Sequence, residues 1–157
     1  MSVSIKLEGV GSVQAVFREL ADEIGDKKAN SKILIPAVRE AMKPVLSKAR
    51  ADTPVDTGGL KRSLQVEARR PNRKDKRSKY IASTDTVISL VTTAPGKKLA
   101  KMGIKSDARA IAQEFGTARN PAQPYLRAAL ESQSTSVVNN LAGILTRRID
   151  KYKKANL

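Results

Sequence analysis

The chain has 157 residues, a length that favours one domain over two large ones. It carries 30 Lys and Arg residues against 15 Asp and Glu residues, which gives a formal net charge of +15, and it contains neither Cys nor His. The missing residue types exclude disulfide frameworks, thiol nucleophiles, ordinary zinc sites and His-based catalytic triads. The composition therefore argues against an enzyme, and we expect no cofactor and no bound metal.

Apolar residues occur only in short runs. The longest run lies near residues 33–35, far below the roughly 20 residues that span a bilayer. Residues 1–6 lack the apolar region of a signal peptide. We expect a soluble protein that is made in the cytoplasm and has no membrane partner.

The first third of the sequence shows one strand pattern and two helix patterns. Apolar and polar residues alternate over residues 2–8, which predicts a half-buried strand. Apolar positions at helical spacing predict a first helix over residues 12–24 and a second from about Ser31 to Ala51. Pro44 lies in the middle of the second helix and predicts a kink, because proline removes a backbone donor.

The middle of the sequence predicts a hairpin followed by a short helix. Residues 63–69 and 80–93 have strand patterns, and the connection over residues 71–79 is polar and strongly basic. Residues 95–106 are expected to form a loop with some helix. Asp107 is a candidate cap for a short helix that carries Ile111 and Phe115 on its apolar stripe.

A long C-terminal helix completes the predicted architecture. Pro124 suits its first position, and the apolar stripe continues to Tyr152, so the helix is about 45 Å long. Residues 151–157 are predicted to be a flexible basic tail. We therefore expect one α+β domain over residues 1–157, with its core at about 3–150. In this fold, a small antiparallel sheet with a long basic hairpin packs against two or three helices, beside the long C-terminal helix.

The carboxylates do not form a convincing acid–base pair or metal site. Asp52 and Asp56 flank a loop rich in Pro, Thr and Gly, where Asp usually makes turn hydrogen bonds. Glu114 stands beside Phe115 and Gly116 at a predicted helix end, which favours a structural or interface role.

Basic residues are concentrated between residues 61 and 79, where nine of nineteen are Lys or Arg and the net charge is +7. This density favours contact with DNA phosphates or an acidic protein surface over a merely solvated face. Such DNA contact would not read sequence, because no helix that reads bases stands out. The candidate contact residues are Arg69, Arg70, Arg73, Lys74, Lys76, Arg77 and Lys79.

Two motifs stand in order along the chain. The first, over residues 51–64, reads Ala-Asp-Thr-Pro-Val-Asp-Thr-Gly-Gly-Leu-Lys-Arg-Ser-Leu. The second is Glu-Phe-Gly-Thr at residues 114–117, followed by Pro121 and by Pro-Tyr-Leu-Arg-Ala-Ala-Leu-Glu over residues 124–131. The motif positions are Pro54, Thr57, Gly58, Leu60, Glu114, Phe115, Gly116, Thr117, Pro124, Leu126 and Arg127.

These motifs also have a physical interpretation. Thr57 can cap a helix, Gly58 allows a tight backbone, and Leu60 is expected to return to the core. Gly116 is expected to end one helix before the chain reaches the next. The residues are therefore predicted to shape the fold and not to bind a ligand.

The two motifs together resemble the tail-component family of tailed bacteriophages, the "gene product ten" family of the Hong Kong 97 type, over roughly residues 12–135. The resemblance implies a structural virion protein, made in the host cytoplasm, that acts in the phage neck in tail completion or head-to-tail joining. It implies a homo-oligomeric ring, of six subunits by analogy, and no catalysis.

The partners implied are other copies of the chain, neighbouring connector and tail proteins, and the duplex genome in the lumen. The hairpin and the C-terminal helix are the candidate ring contacts. Two alternatives remain open: an adjacent connector ring, such as a head-closure or tail-terminator protein, and a non-specific duplex DNA-binding protein.

Overall fold

A computed structural model describes residues 10–54, 58–104 and 109–156. The predicted strand at residues 2–8 and the predicted caps Thr57 and Asp107 lie outside these ranges. The helices of the described chain, in order, are α1 (Val10–Ile24), α2 (Asp26–Ala29), α3 (Ile35–Ala41), α4 (Lys43–Asp52), α5 (Gly59–Ser63), α6 (Gly96–Lys101), α7 (Arg109–Phe115) and α8 (Leu126–Asn156).

The described chain has one small antiparallel sheet, in which β1 (Leu64–Arg69) pairs with β2 (Ile88–Thr93). The α+β prediction is therefore confirmed. The second strand begins at Ile88 and not at Tyr80, so the predicted strand over residues 80–93 is wrong over its first eight residues. Residues 78–85 form turns instead, because Asp85 accepts a hydrogen bond from the N–H of Ala82 (2.9 Å) and draws the backbone out of the ladder.

The second predicted helix starts earlier than expected and has three sections. It begins with α2 at Asp26, continues through one π-helical turn at Asn30–Leu34, and passes into α3. Pro36 explains the π-helical turn, since it has no N–H to donate to the carbonyl four residues before it. The helix is broken at Met42, and Pro44 lies in the first turn of α4, where the sequence predicts a kink.

The chain forms two compact units, and the first contains Met1–Ala41, Ala68–Leu90 and Thr135–Leu157. The core of the first unit joins α1, α3 and the C-terminal part of α8. Its buried side chains are Leu20, Ile33, Ala37, Leu145 and Ile149. Burying a large aliphatic side chain contributes about 1.5–3 kcal/mol, so these contacts hold α8 in place. Residues 151–156, predicted as a tail, continue this helix.

An ion-pair cluster fastens α3 to α8 inside the first unit. Arg148 donates two hydrogen bonds to one oxygen of Glu40, at 3.1 and 2.6 Å, and Arg147 donates to the other oxygen. These arginines, Arg148 first, lower the pKa of the Glu40 carboxyl against the effect of its burial. Arg147 and Arg148, two basic residues of the C-terminal segment, are therefore bound to a carboxylate of the same chain.

The second unit contains Met42–Glu67 and Val91–Ser134. Its buried apolar residues include Tyr125, just before α8, and residues of α4, β1, α6, α7 and α8: Val45, Ala49, Leu64, Leu99, Ala110 and Ala129. Arg50 reaches across this unit and donates to the carbonyl of Leu64 at 2.8 Å. Gly58 has a φ of 72°, in the left-handed region, directly before α5. The expected tight backbone is confirmed there, whereas Leu60 is only half-buried.

The turn after α7 depends on Gly116, which ends that helix as predicted. Gly116 has a φ of 77°, and a Cβ atom built on it would lie 2.7 Å from the backbone nitrogen of Ala122 and 3.1 Å from the carbonyl oxygen of Asn120. These backbone atoms of the following loop leave no room for a side chain. Only glycine fits this turn without a shift of the following loop.

We expect Gly116→Ala to lower the free energy of unfolding by more than about 1 kcal/mol, because it combines an unfavourable φ with a backbone clash. Gly143→Ala in α8 is the matched control. A Cβ atom added at Gly143 would meet no other atom within 4 Å, and alanine should stabilise a helix interior by about 0.5–1 kcal/mol. Urea denaturation of both variants checks this, and equal effects would contradict the role assigned to Gly116.

Candidate functional site

Most of the predicted contact residues lie on the connection between β1 and β2, which we call the basic loop (residues 70–87). One turn of 3₁₀ helix, Asp75–Arg77, stands in its first half. Six of the seven candidate cations are exposed on this loop: Arg70, Arg73, Lys74, Lys76, Arg77 and Lys79. The structure therefore presents them together on one surface segment.

The seventh candidate, Arg69, is bound inside the segment. Both of its terminal nitrogens donate to the carboxylate of Asp75, with Nη2 3.1 Å from Oδ1. The N–H of Asn72 donates to the same carboxylate at 2.6 Å. The bond from Arg69, followed by the bond from Asn72, lowers the pKa of Asp75 to about 2.

A lowered carboxyl pKa means that this pair contributes stability above the ordinary Asp pKa of 3.8 and loses it as the pH falls towards about 2. Near neutral pH, Arg69 compensates the charge of Asp75. Asp75 therefore offsets the charge of Arg69 and not that of the six exposed cations.

The backbone of the basic loop is shaped by its own side chains. The Oδ1 atom of Asn72 accepts hydrogen bonds from the N–H groups of Lys74 (2.8 Å) and Asp75 (2.9 Å), which is an Asx turn that starts the 3₁₀ turn. Further along, the Nζ atom of Lys79 lies 5.0 Å from the ring centroid of Tyr80, whose side chain is exposed.

The other basic segments are less concentrated. Lys97, Lys98 and Lys101 are exposed on α6, and Lys98 donates to the side-chain oxygen of Gln65 at 2.7 Å. The arginines near the end of α8 are bound to Glu40, as described above. The basic loop is therefore the strongest candidate for contact with an anionic partner.

The second motif surrounds the junction between α7 and α8. Glu114 is buried, and its two carboxylate oxygens accept hydrogen bonds from the N–H groups of Leu126 (2.9 Å) and Arg127 (3.1 Å). These are the first N–H groups of α8, which have no acceptor within the helix. A negative charge at a helix N-terminus is also favoured by the helix dipole. Glu114 therefore caps α8 from a different helix.

The long helix starts later than the sequence predicts. Pro124 was expected at its first position, but α8 begins at Leu126 and Pro124 lies exposed in the preceding loop. The start is fixed by the carboxylate of Glu114, twelve residues earlier, and not by the proline. Glu114 thus has the structural role that the sequence favours.

Thr117 organises the loop between α7 and α8. Its Oγ1 atom accepts hydrogen bonds from the N–H groups of Arg119 (3.3 Å) and Asn120 (3.1 Å), and its own N–H donates to the carbonyl of Asn120 (2.8 Å). The N–H of Gln123 donates to the carbonyl of Gln113 at 2.8 Å. The motif positions here hold the backbone of the loop in place. Pro54, from the first motif, is exposed after α4.

Of the three candidate carboxylates, Asp56 lies outside the described residues, and Glu114 and Asp52 both have partners. Both oxygens of Glu114 are taken by the α8 backbone, and Asp52 pairs with Lys48 at 2.9 Å. Burial, with a smaller effect from Glu114, raises the pKa of Tyr125 to about 12, so this phenol stays neutral. Within residues 10–54, 58–104 and 109–156, no group of three acidic side chains could hold a metal ion.

The outer side of α7 is where the sequence prediction fails most clearly. Ile111 and Phe115 were placed on a buried stripe, yet their side chains are 67% and 66% exposed, and the buried positions are Ala110 and Glu114. Both pairs are spaced by four residues, so periodicity alone cannot choose between them. Hydrophobicity favours burial of Ile111 and Phe115. The structure buries Ala110 and Glu114 instead, because Glu114 caps the start of α8.

The exposed apolar side chains of α7 have neighbours on α8. The guanidinium carbon of Arg127 lies 5.9 Å from the ring centroid of Phe115, and Leu130, one turn further along α8, is 48% exposed. We call this surface the α7 patch; it contains Ile111, Phe115, Arg127 and Leu130. Sequence reasoning did not identify it.

Comparison with known proteins gives one match. The family model of the bacteriophage HK97-gp10 tail component matches residues 15–116, about two-thirds of the chain. The match includes the first motif and the basic loop, and it ends at Gly116 before α8. No curated protein and no solved structure matches the chain. In the described part of the chain, no helix is both long enough and apolar enough to span a membrane.

We expect Glu114→Gln to lower the free energy of unfolding by about 1–2 kcal/mol. The amide keeps one acceptor, but its NH₂ group would face the second N–H of α8, and the negative charge at the helix start is lost. Glu131→Gln makes the same chemical change at an exposed position of α8 and should cost less than about 0.5 kcal/mol. Denaturation curves that show the two variants to be equally stable would refute the cap.

Proposed function

We propose that this chain, which belongs to the bacteriophage HK97-gp10 tail-component family, forms a ring in the phage neck that completes the tail or joins it to the head. Family membership establishes a structural role in the phage tail. The position in the neck, the ring and its subunit number, six by analogy, are the proposal. Its partners would be copies of itself and the neighbouring connector and tail proteins.

The observation that carries the proposal is the basic loop. A protein at the junction between the DNA-filled head and the tail lies beside the path of the genome. Six exposed cations, on a loop whose Asp75 is already bound by Arg69, provide a surface for the phosphates of that duplex. The contact would be independent of sequence, as passage of a whole genome requires.

Proteins that form the rings next to a tail-completion ring would also lie beside the path of the genome. A head-closure or tail-terminator protein would also need a basic inner surface and contacts between copies. We favour tail completion because the matched family is one of tail components. The second candidate function, non-specific duplex DNA binding by the free protein, is favoured by the same six cations.

The first test is deletion of this gene from the parent phage, followed by electron microscopy of the lysate. We expect DNA-filled heads and separate tails side by side, because the missing ring would leave the two unjoined. Complementation with the wild-type gene should restore joined particles. Normal infectious particles without the protein would overturn the neck role.

The basic loop is tested by changing its six exposed cations to Gln and measuring duplex binding by the purified protein across a salt series. Each phosphate contact contributes about 0.9 to the slope of log K against log salt, so the slope should fall by up to about 5. We also expect loss of infectivity.

The matched control changes six other exposed cations to Gln, so that it has the same net charge as the loop variant. These residues lie on α2, on the π-helical turn and at the end of α8: Lys27, Lys28, Lys32, Lys151, Lys153 and Lys154. If this control weakens DNA binding as much as the loop variant does, the effect is one of net charge and the loop has no special role.

A further inference from the structure

Positive charge is unevenly distributed along this chain. Residues 1–41 contain six basic and six acidic residues, so the whole excess of +15 belongs to residues 42–157. Copies of a protein with this charge repel one another unless surfaces of opposite charge meet. Any contact between copies is therefore expected to use the acidic part of the first segment.

The acidic surface of that segment is the outer side of α1. Glu19, Asp22 and Glu23 are all exposed on this helix. Val16 is 40% exposed and precedes Glu19 and Glu23 by three and seven residues, so the three lie on one stripe of the helix. The neighbouring stripe, with Phe17 and Leu20, faces the core of the first unit, so Val16 lies at the border between the buried and the exposed side of the helix. The outer stripe thus combines an apolar contact point with carboxylates; we call it the α1 face.

The α7 patch has complementary properties. Its centre is apolar, with Ile111 and Phe115 about two-thirds exposed, and Arg127 stands at the ring of Phe115. Two carboxylates lie nearby: Glu114, 3.9 Å from Arg127 but bound to the start of α8, and exposed Glu131. Exposed aromatic residues beside arginine are typical of the centres of protein interfaces.

We infer that the α7 patch of one copy docks on the α1 face of the next. This inference rests on the proposed ring and names the surfaces that close it. Pairing of two α1 faces would bring carboxylates together and is disfavoured, whereas Arg127 of the α7 patch can meet the carboxylates of an α1 face. Contact between unlike surfaces avoids this, and it repeats from copy to copy, which is the geometry that builds rings.

The absence of cysteine in this sequence allows a direct test by crosslinking. Val16→Cys and Phe115→Cys are made as separate proteins, one carrying a tag that changes its size. The two are mixed and mildly oxidised. We expect the mixed disulfide dimer to form at least about tenfold more than a mixture of Val16→Cys with Thr146→Cys, whose cysteine replaces an exposed residue of α8.

Three outcomes of this experiment overturn the inference. Efficient crosslinking of either single variant with itself would indicate pairing of like surfaces. A mixed dimer no more abundant than the Thr146→Cys control would exclude the proposed pair. A wild-type chain that stays monomeric in native mass spectrometry at the concentrations used would leave no contact between copies to explain.

Complementation between two charged variants provides an independent measurement. Val16→Asp and Phe115→Asp each destroy one of the two surfaces, and both change exposed residues, so circular dichroism should show an unchanged fold. We expect each variant alone to be monomeric by analytical ultracentrifugation. Because each keeps the surface that the other lacks, their mixture should form a dimer and nothing larger. Full assembly by either variant alone would contradict the inference.

These results can be separated from the fate of the proposed function. If the gene deletion yields unjoined heads and tails but neither surface affects assembly, the neck role remains and the ring closes through other surfaces. If the surfaces behave as expected but the deletion has no effect on particles, the chain assembles in a different structure of the virion.

Discussion

The carboxylate of Glu114 is the constraint on which the second unit depends. A helix of 31 residues must begin with N–H groups that have no partner of their own. Glu114 accepts two of them from α7, and this bond fixes the register of α8 relative to α7. The register in turn places Tyr125 in the interior and Arg127 beside the ring of Phe115. A polar residue is thus buried at the position that a hydrophobic residue would otherwise occupy, and Phe115 is displaced to the surface.

Three acidic residues of the described chain bind arginine or backbone at particular places in the fold. Asp75 holds Arg69 at the base of the basic loop, Glu40 holds two arginines of α8, and Glu114 holds a helix end. Each is tied to a particular place in the fold, so the remaining basic residues are left at the surface. The carboxylates of α1 differ, since they are exposed along one helix face. This division explains how a protein with twice as many basic as acidic residues can hold its own elements together.

Local patterns in the sequence identified most of the helices and the exposed cations. The range of α1, the end of α7 at Gly116 and the length of α8 follow from periodicity and from the residues that end helices. The errors in β2, in the start of α8 and in the buried side of α7 share one cause, which is a hydrogen bond between a side chain and a backbone group that periodicity does not reveal. Asp85 shortens β2, and Glu114 both moves the start of α8 and reverses the buried side of α7. The positions of the basic residues could be read from the sequence, whereas the turn that Asn72 builds beneath them could not.

If the basic loop contacts duplex DNA as proposed, the hydrogen bonds that shape its backbone have a mechanical consequence. A disordered basic tail of equal charge must lose conformational entropy when it binds, and it can wrap around DNA and hold it. The Asx turn and the Arg69–Asp75 pair instead hold the first half of the loop backbone in place before any contact, so less conformational entropy is lost on binding. A surface of this kind attracts phosphates without closing around them. The duplex could then move past the loop, and each lost phosphate contact would be replaced by the next at little cost in free energy.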